Sequence, residues 1–87
     1  MIKRNLPEII EFITGVDQKE LKPSSVIDSI GLDSLGIDSL DKIEILMMIE
    51  DDHDIEISDD DALRFVTIKD VSDHMIEKGV HKKDIGI

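Results

Sequence analysis

The chain has 87 residues, 40% hydrophobic and 36% charged, with 21 acids against 10 Lys and Arg for a formal net charge of −11. That length holds one small domain. The absence of Cys excludes disulfides, thiolate metal sites and a Cys nucleophile, and so acidic a surface repels phosphate backbones and anionic lipid. With two Phe, no Tyr and no Trp, the core must be built from Ile, Leu, Val and Met, which favours helices packed on helices over a sheet sandwich. No apolar run reaches the ~18–20 residues of a membrane span, and the N-terminal stretch has no apolar signal-peptide core. These features predict an acidic cytoplasmic monomer that binds neither nucleic acid nor membrane and meets basic protein surfaces.

Periodicity predicts a first helix from about Leu6 to Thr14, with Leu6, Ile9, Ile10 and Ile13 as its apolar stripe. Asn5 is its N-cap with Glu8 three residues on, Pro7 sits in the tolerant first turn, and Gly15 stops it. A long connection follows from Val16 to Ile37. Its many apolar residues, among them Leu21, Val26 and Ile27, predict an ordered loop pinned to the core, with a short helix inside it. The second helix runs from Asp38 to about His53, and a short third lies near Asp59 to Phe65. A fourth starts at Thr67, paired with Asp70 as a capping box, carries Ile68, Val71, Met75 and Ile76 at helical spacing, and ends at Gly79. Residues 80–87 are expected to fray. The result is an all-α bundle of three main helices plus one short one, a single domain over 1–87 with its core between about 6 and 79.

On a wheel of ~100° per residue, the second helix is expected to turn Ile43, Ile45, Leu46, Ile49 and His53 inward. Its other face gathers Leu40, Asp41, Glu44, Met47, Met48, Asp51 and Asp52. Large apolar side chains rimmed by carboxylates read as a docking surface, and Met suits one that accepts several partners. Met residues packed against the third helix would be the plainer explanation. A direct repeat, Gly31-Leu32-Asp33-Ser34-Leu35 then Gly36-Ile37-Asp38-Ser39-Leu40, offers two candidate serines. Ser39 stands at a helix start, where free N–H groups and the helix dipole favour a phosphate. Ser34 has no helix opening behind it.

The longer string from Leu35 to Asp51, built on Leu-Gly-Ile-Asp-Ser-Leu and an acidic helix with Met in its middle, resembles the attachment segment of acyl carrier proteins. The resemblance extends to Glu8-Ile9-Ile10, Phe12-Ile13 and Gly15-Val16 at the end of the first helix, Ile55-Glu56-Ile57-Ser58-Asp59-Asp60-Asp61-Ala62, and Thr67-Ile68-Lys69-Asp70-Val71, covering residues 6 to 79. It implies an acyl-carrier-like fold and a covalent 4′-phosphopantetheine arm, delivered from coenzyme A to Ser39 by a phosphopantetheinyl transferase, with Asp38 and Leu40 flanking the site. It further implies thioester-held acyl groups presented to acyl-transferring, condensing or acyl-activating enzymes of fatty-acid, lipid or polyketide synthesis. The family's recognition positions fall on Asp41, Glu44, Met47, Glu50 and Asp51, and Met48 joins them on the docking face. Chemistry would belong to the partners, so the chain would have no catalytic residues.

Four departures from the family pattern stand out: a connection several residues longer, His53 in place of a large apolar residue, Ser58 in place of a common Pro, and Pro7, which is expected to shorten the first helix. They suggest a specialised carrier. Competing readings are an unmodified helical adaptor using the same face, and an aminoacyl carrier. Metal chemistry finds little footing, since His53, His74 and His81 lack close ligand spacing and the acidic run after His53 lacks the central Gly of a calcium loop.

Overall fold

A computed structural model describes residues 3–27 and 39–86. Its elements are α1 (Leu6–Thr14), a 3-10 turn (Gln18–Glu20), α2 (Ser39–His53), α3 (Asp59–Arg64), α4 (Ile68–Glu77) and α5 (Lys82–Ile85). No strand is present among the described residues, so the all-α expectation holds.

The capping chemistry read from the sequence sets the boundaries of α1 and α4. Asn5 Oδ1 accepts from the Glu8 N–H at 2.9 Å while Glu8 Oε1 accepts from the Asn5 N–H at 3.1 Å, closing the box at α1. Gly15 then takes φ 79°, the left-handed value that ends a helix cheaply only in glycine. At α4 the Thr67 hydroxyl accepts from the Asp70 N–H, and Asp70 Oδ2 accepts from the N–H groups of Val66 and Thr67, both at 3.0 Å. Ser58 caps α3 by accepting from the Asp61 N–H.

Those two backbone donors, Thr67 first and Val66 second, hold the Asp70 carboxyl below the ordinary aspartate range. A depressed folded pKa stabilises above the unfolded value, near 3.9, and that contribution disappears as pH falls through the folded one. Asp70→Ala should therefore cost about 1 kcal/mol at pH 7, the usual worth of a cap. Its deficit against the wild type should shrink in urea unfolding as pH falls below about 4 and the native carboxylate is progressively protonated. A deficit of the same size at pH 3 and pH 7 would mean the charge on Asp70 contributes nothing.

One cluster of buried aliphatic side chains joins the helices: Leu6, Ile9 and Ile10 from α1, Ile45, Leu46 and Ile49 from α2, and Ile68, Val71 and Met75 from α4. Leu21 and Ile27 enter it from the connection. Residues 23–27 also pair by backbone with the α3–α4 junction: Ile27 N–H to Val66 O (2.8 Å), Ile68 N–H to Ser25 O (2.9 Å) and Lys69 N–H to Pro23 O (2.9 Å). This described part of the connection is thus pinned, as its apolar content predicted. The predicted start of the second helix at Asp38, and the repeat with Ser34, lie outside the described residues.

Two expectations need correction. Residues 80–87 were expected to fray, yet α5 forms within them and buries Ile85 completely in the main cluster. Ile43 is 52% exposed, because it sits about 160° around the helix from Ile45 and so at the far edge of the inward arc. Ile76, at the end of α4, is 38% exposed while Met75 takes the buried position.

Candidate functional site

The site is centred on α2. Fifteen residues long, it opens at Ser39, so the positive end of its dipole falls there. Leu40 in the first turn (63% exposed) and Ile43 at the start of the second face solvent. Such an opening suits a phosphodiester anion.

Along α2 the exposed residues are Leu40, Ile43, Glu44, Met47 and Asp51. They lie within about 100° of arc. Three apolar side chains and two carboxylates thus share one narrow stripe. Neither Glu44 nor Asp51 has an ion-pair partner among the described residues.

The other residues expected on this face are placed differently. Asp41 is half-buried and Met48 packs partly against the core. Glu50 is half-buried, and its Oε2 accepts from the Ile57 N–H at 3.0 Å, tying α2 to the approach to α3. Asp52 turns away from the stripe: its Oδ2 accepts from the Arg4 N–H (3.2 Å) and lies 3.7 Å from Arg4 Nη1. Met48 and Asp52 each follow an inward isoleucine by three residues, Ile45 and Ile49, which brings them to the α1 side of the helix. The plainer explanation for Met48 therefore has the right burial but the wrong neighbour. Asp38 lies outside the described residues.

His53 is buried at the end of α2, and its Nε2 lies 2.8 Å from Arg4 O. A carbonyl can only accept, so Nε2 carries the proton and donates. The polar ring is thereby satisfied, and it fixes the segment before α1 to α2. Asp54, the next residue, adopts φ 53° as the chain leaves the helix.

Sequence reasoning missed the part played by Arg4 and Phe12. Arg4 contacts Asp52 and Met48, and its guanidinium lies 4.8 Å from the centroid of the Phe12 ring. No local motif signals contacts that cross from one end of the chain to α2. His74 packs edge-on to Phe65 with ring centroids 5.2 Å apart, and its buried Nε2 is 4.0 Å from Asp61. Among the described residues no three potential metal ligands gather.

The helical frame and the helix opening at Ser39 are compatible with a carrier domain, one that presents a tethered group. A family described as the phosphopantetheine attachment site matches residues 6–75. The acyl carrier protein of Chlorobium phaeobacteroides is 35% identical over 78 residues, covering 88% of this chain and 94% of that relative. The acyl carrier protein of Bdellovibrio bacteriovorus is 36% identical over 79 residues, 90% of this chain and 95% of the relative. The chain belongs to the phosphopantetheine-dependent acyl carrier protein family. Its prosthetic group is covalent 4′-phosphopantetheine, and it is a carrier with no catalysis of its own.

Proposed function

We propose that Ser39 is the attachment point of the arm and that the exposed stripe of α2 is the surface on which partner enzymes dock. The observation that carries this reading is the position of Ser39 at the first residue of a fifteen-residue helix whose exposed side collects Leu40, Ile43, Glu44, Met47 and Asp51. The arm, once transferred from coenzyme A, supplies a terminal thiol that holds acyl groups as thioesters. The protein's own residues hold the phosphodiester at a helix N-terminus and offer a docking surface beside it. A tether rooted next to that surface raises the local concentration of cargo at whichever enzyme is bound. Partners in this reading are a phosphopantetheinyl transferase and the acyl-transferring, condensing or acyl-activating enzymes of fatty-acid, lipid or polyketide synthesis, with basic docking surfaces, in the cytoplasm.

The test is intact mass and peptide mapping after incubation with coenzyme A, Mg²⁺ and a broad-specificity phosphopantetheinyl transferase. One phosphopantetheine adduct on the peptide holding Ser39 is the expected result. An adduct on Ser34 would overturn the assignment, and no adduct would favour the unmodified adaptor.

Docking by unpaired carboxylates acts mainly on encounter and weakens with salt. The double variant Glu44→Lys, Asp51→Lys should lower kcat/KM for loading by about tenfold at low ionic strength. The gap to wild type should narrow as salt is raised. Equal kinetics at low salt would remove the stripe from the docking surface.

A further inference from the structure

Beside the α2 stripe lies an open hollow of about 480 Å³ between α1 and α2. Phe12 and Ile13 from α1 and Met47 and Met48 from α2 supply its apolar surface, and Glu44, Asp51 and Asp52 contribute carboxylates to its lining. Among the described residues Arg4 is the one cation lining it, and its charge is already committed to Asp52 and to the face of Phe12.

Two features are unusual for a plain solvated surface. Phe12 is 66% exposed and Met47 58% exposed, although α1 has ample apolar residues on its buried side. Phe12 also lies outside that buried stripe, which is formed by Leu6, Ile9 and Ile10. The ring is held rather than loose, since Arg4 stacks over it and is itself anchored by Asp52 and Met48. A prearranged aromatic costs a partner little ordering entropy when it is covered.

We propose that this hollow extends the docking surface from α2 onto α1 and receives an apolar side chain flanked by a Lys or Arg of a partner enzyme. The inference rests on the carrier reading of α2, because Glu44, Met47 and Asp51 belong to both the stripe and the hollow. Charge selects the occupant. Three carboxylates against one committed guanidinium attract a cation and repel the carboxylate or phosphate of a lipid. The apolar surface between the helices gives the neighbouring aliphatic or aromatic side chain a place to bury, and a partially desolvated aromatic is the kind of anchor that dominates binding energy at such patches.

The experiment uses the full chain and the transferase that loads it. Loading kinetics are compared for wild type, Phe12→Ala, Phe12→Leu and, as a control on another exposed apolar residue, Ile76→Ala on α4. Backbone amide shifts of the ¹⁵N-labelled chain are followed as the transferase is added. Phe12→Ala should lower kcat/KM about fivefold through KM, Phe12→Leu should restore most of it, and Ile76→Ala should stay within about twofold of wild type, the range of an ordinary surface change. Arg4, Phe12 and Ile13 amides should shift in the wild-type titration. Equal kinetics for Phe12→Ala and wild type, with unmoved α1 amides, would overturn the hollow while leaving the carrier reading intact. Wild type that is never loaded, or is loaded away from Ser39, overturns both. Shifts at Phe12 on acyl loading without enzyme would give the hollow to the tethered acyl chain instead, and a Phe12-dependent dimer of the chain alone would give it to a second copy. Either result overturns the proposal.

Discussion

Ser39→Ala is expected to abolish loading altogether, with no mass adduct under conditions that fully convert the wild type. The effect is all-or-none because the hydroxyl is the atom proposed to carry the phosphodiester, and no neighbouring group substitutes for a covalent bond. Folding should be nearly unaffected. Ala is the best helix former, and a first-turn serine contributes at most about 1 kcal/mol through capping. The variant therefore separates chemistry from stability: unfolding midpoint close to wild type, loading gone. Ser34→Ala is the matched control, since Ser34 lies in the same local Asp-Ser-Leu tripeptide. It should load like wild type. Residual loading of Ser39→Ala, lost only in the double variant, would show that the repeat offers two acceptors. Normal partner binding by an unloaded wild type, unchanged in Ser39→Ala, would instead favour the adaptor reading.

The positions that were legible in advance are those whose physics is local. A capping box satisfies backbone donors within four residues of sequence, so Asn5 with Glu8 and Thr67 with Asp70 declare the starts of α1 and α4 without reference to the rest of the fold. Gly15 is similar: a helix end that needs positive φ is marked by the residue that reaches it without strain. The Leu21 and Ile27 anchors were legible because apolar residues so dense in a connection have to bury somewhere.

The α2 face was only partly legible, for a related reason. Periodicity assigns a direction only when apolar residues are confined to one side. Here Leu40, Ile43 and Met47 are exposed while Ile45, Leu46 and Ile49 are buried, so apolar residues surround much of the helix. The wheel alone could not decide the edge positions. The wheel places Ile43 inward, yet it faces solvent, and it places Met48 and Asp52 outward, yet they turn toward Arg4. The exposure of large apolar residues that blurs the pattern is also what a docking surface requires. The contacts of Arg4 with Asp52 and of His53 with Arg4 O span 48 and 49 residues, and nothing local encodes them.

The C-terminal segment provides the second large effect. Ile85 is fully buried in the central cluster, although it follows the turn at Gly79 and sits on a helix of only four residues. So short a helix has little stability of its own. Its position must come from packing, and Ile85 is what packs. Ile85→Ala should cost about 2–4 kcal/mol, the range for truncating a buried isoleucine in a core that relaxes incompletely. At ~0.05–0.15 kcal/mol per residue, a domain of this size holds roughly 4–13 kcal/mol in all, so the variant forfeits a large share. Gly86 transmits the segment's position to the other end of the chain. It takes φ 82°, and a Cβ there would approach Asn5 Nδ2 to 2.8 Å, against the side chain that caps α1. Gly86→Ala should therefore strain its own backbone and disturb that cap, at about 1–2 kcal/mol. If α5 were a frayed tail, both variants would unfold at the wild-type urea midpoint. Midpoints lowered in both, with Ile85→Ala lowered more, would show that the last turn of the chain is part of the core that holds α1 in place.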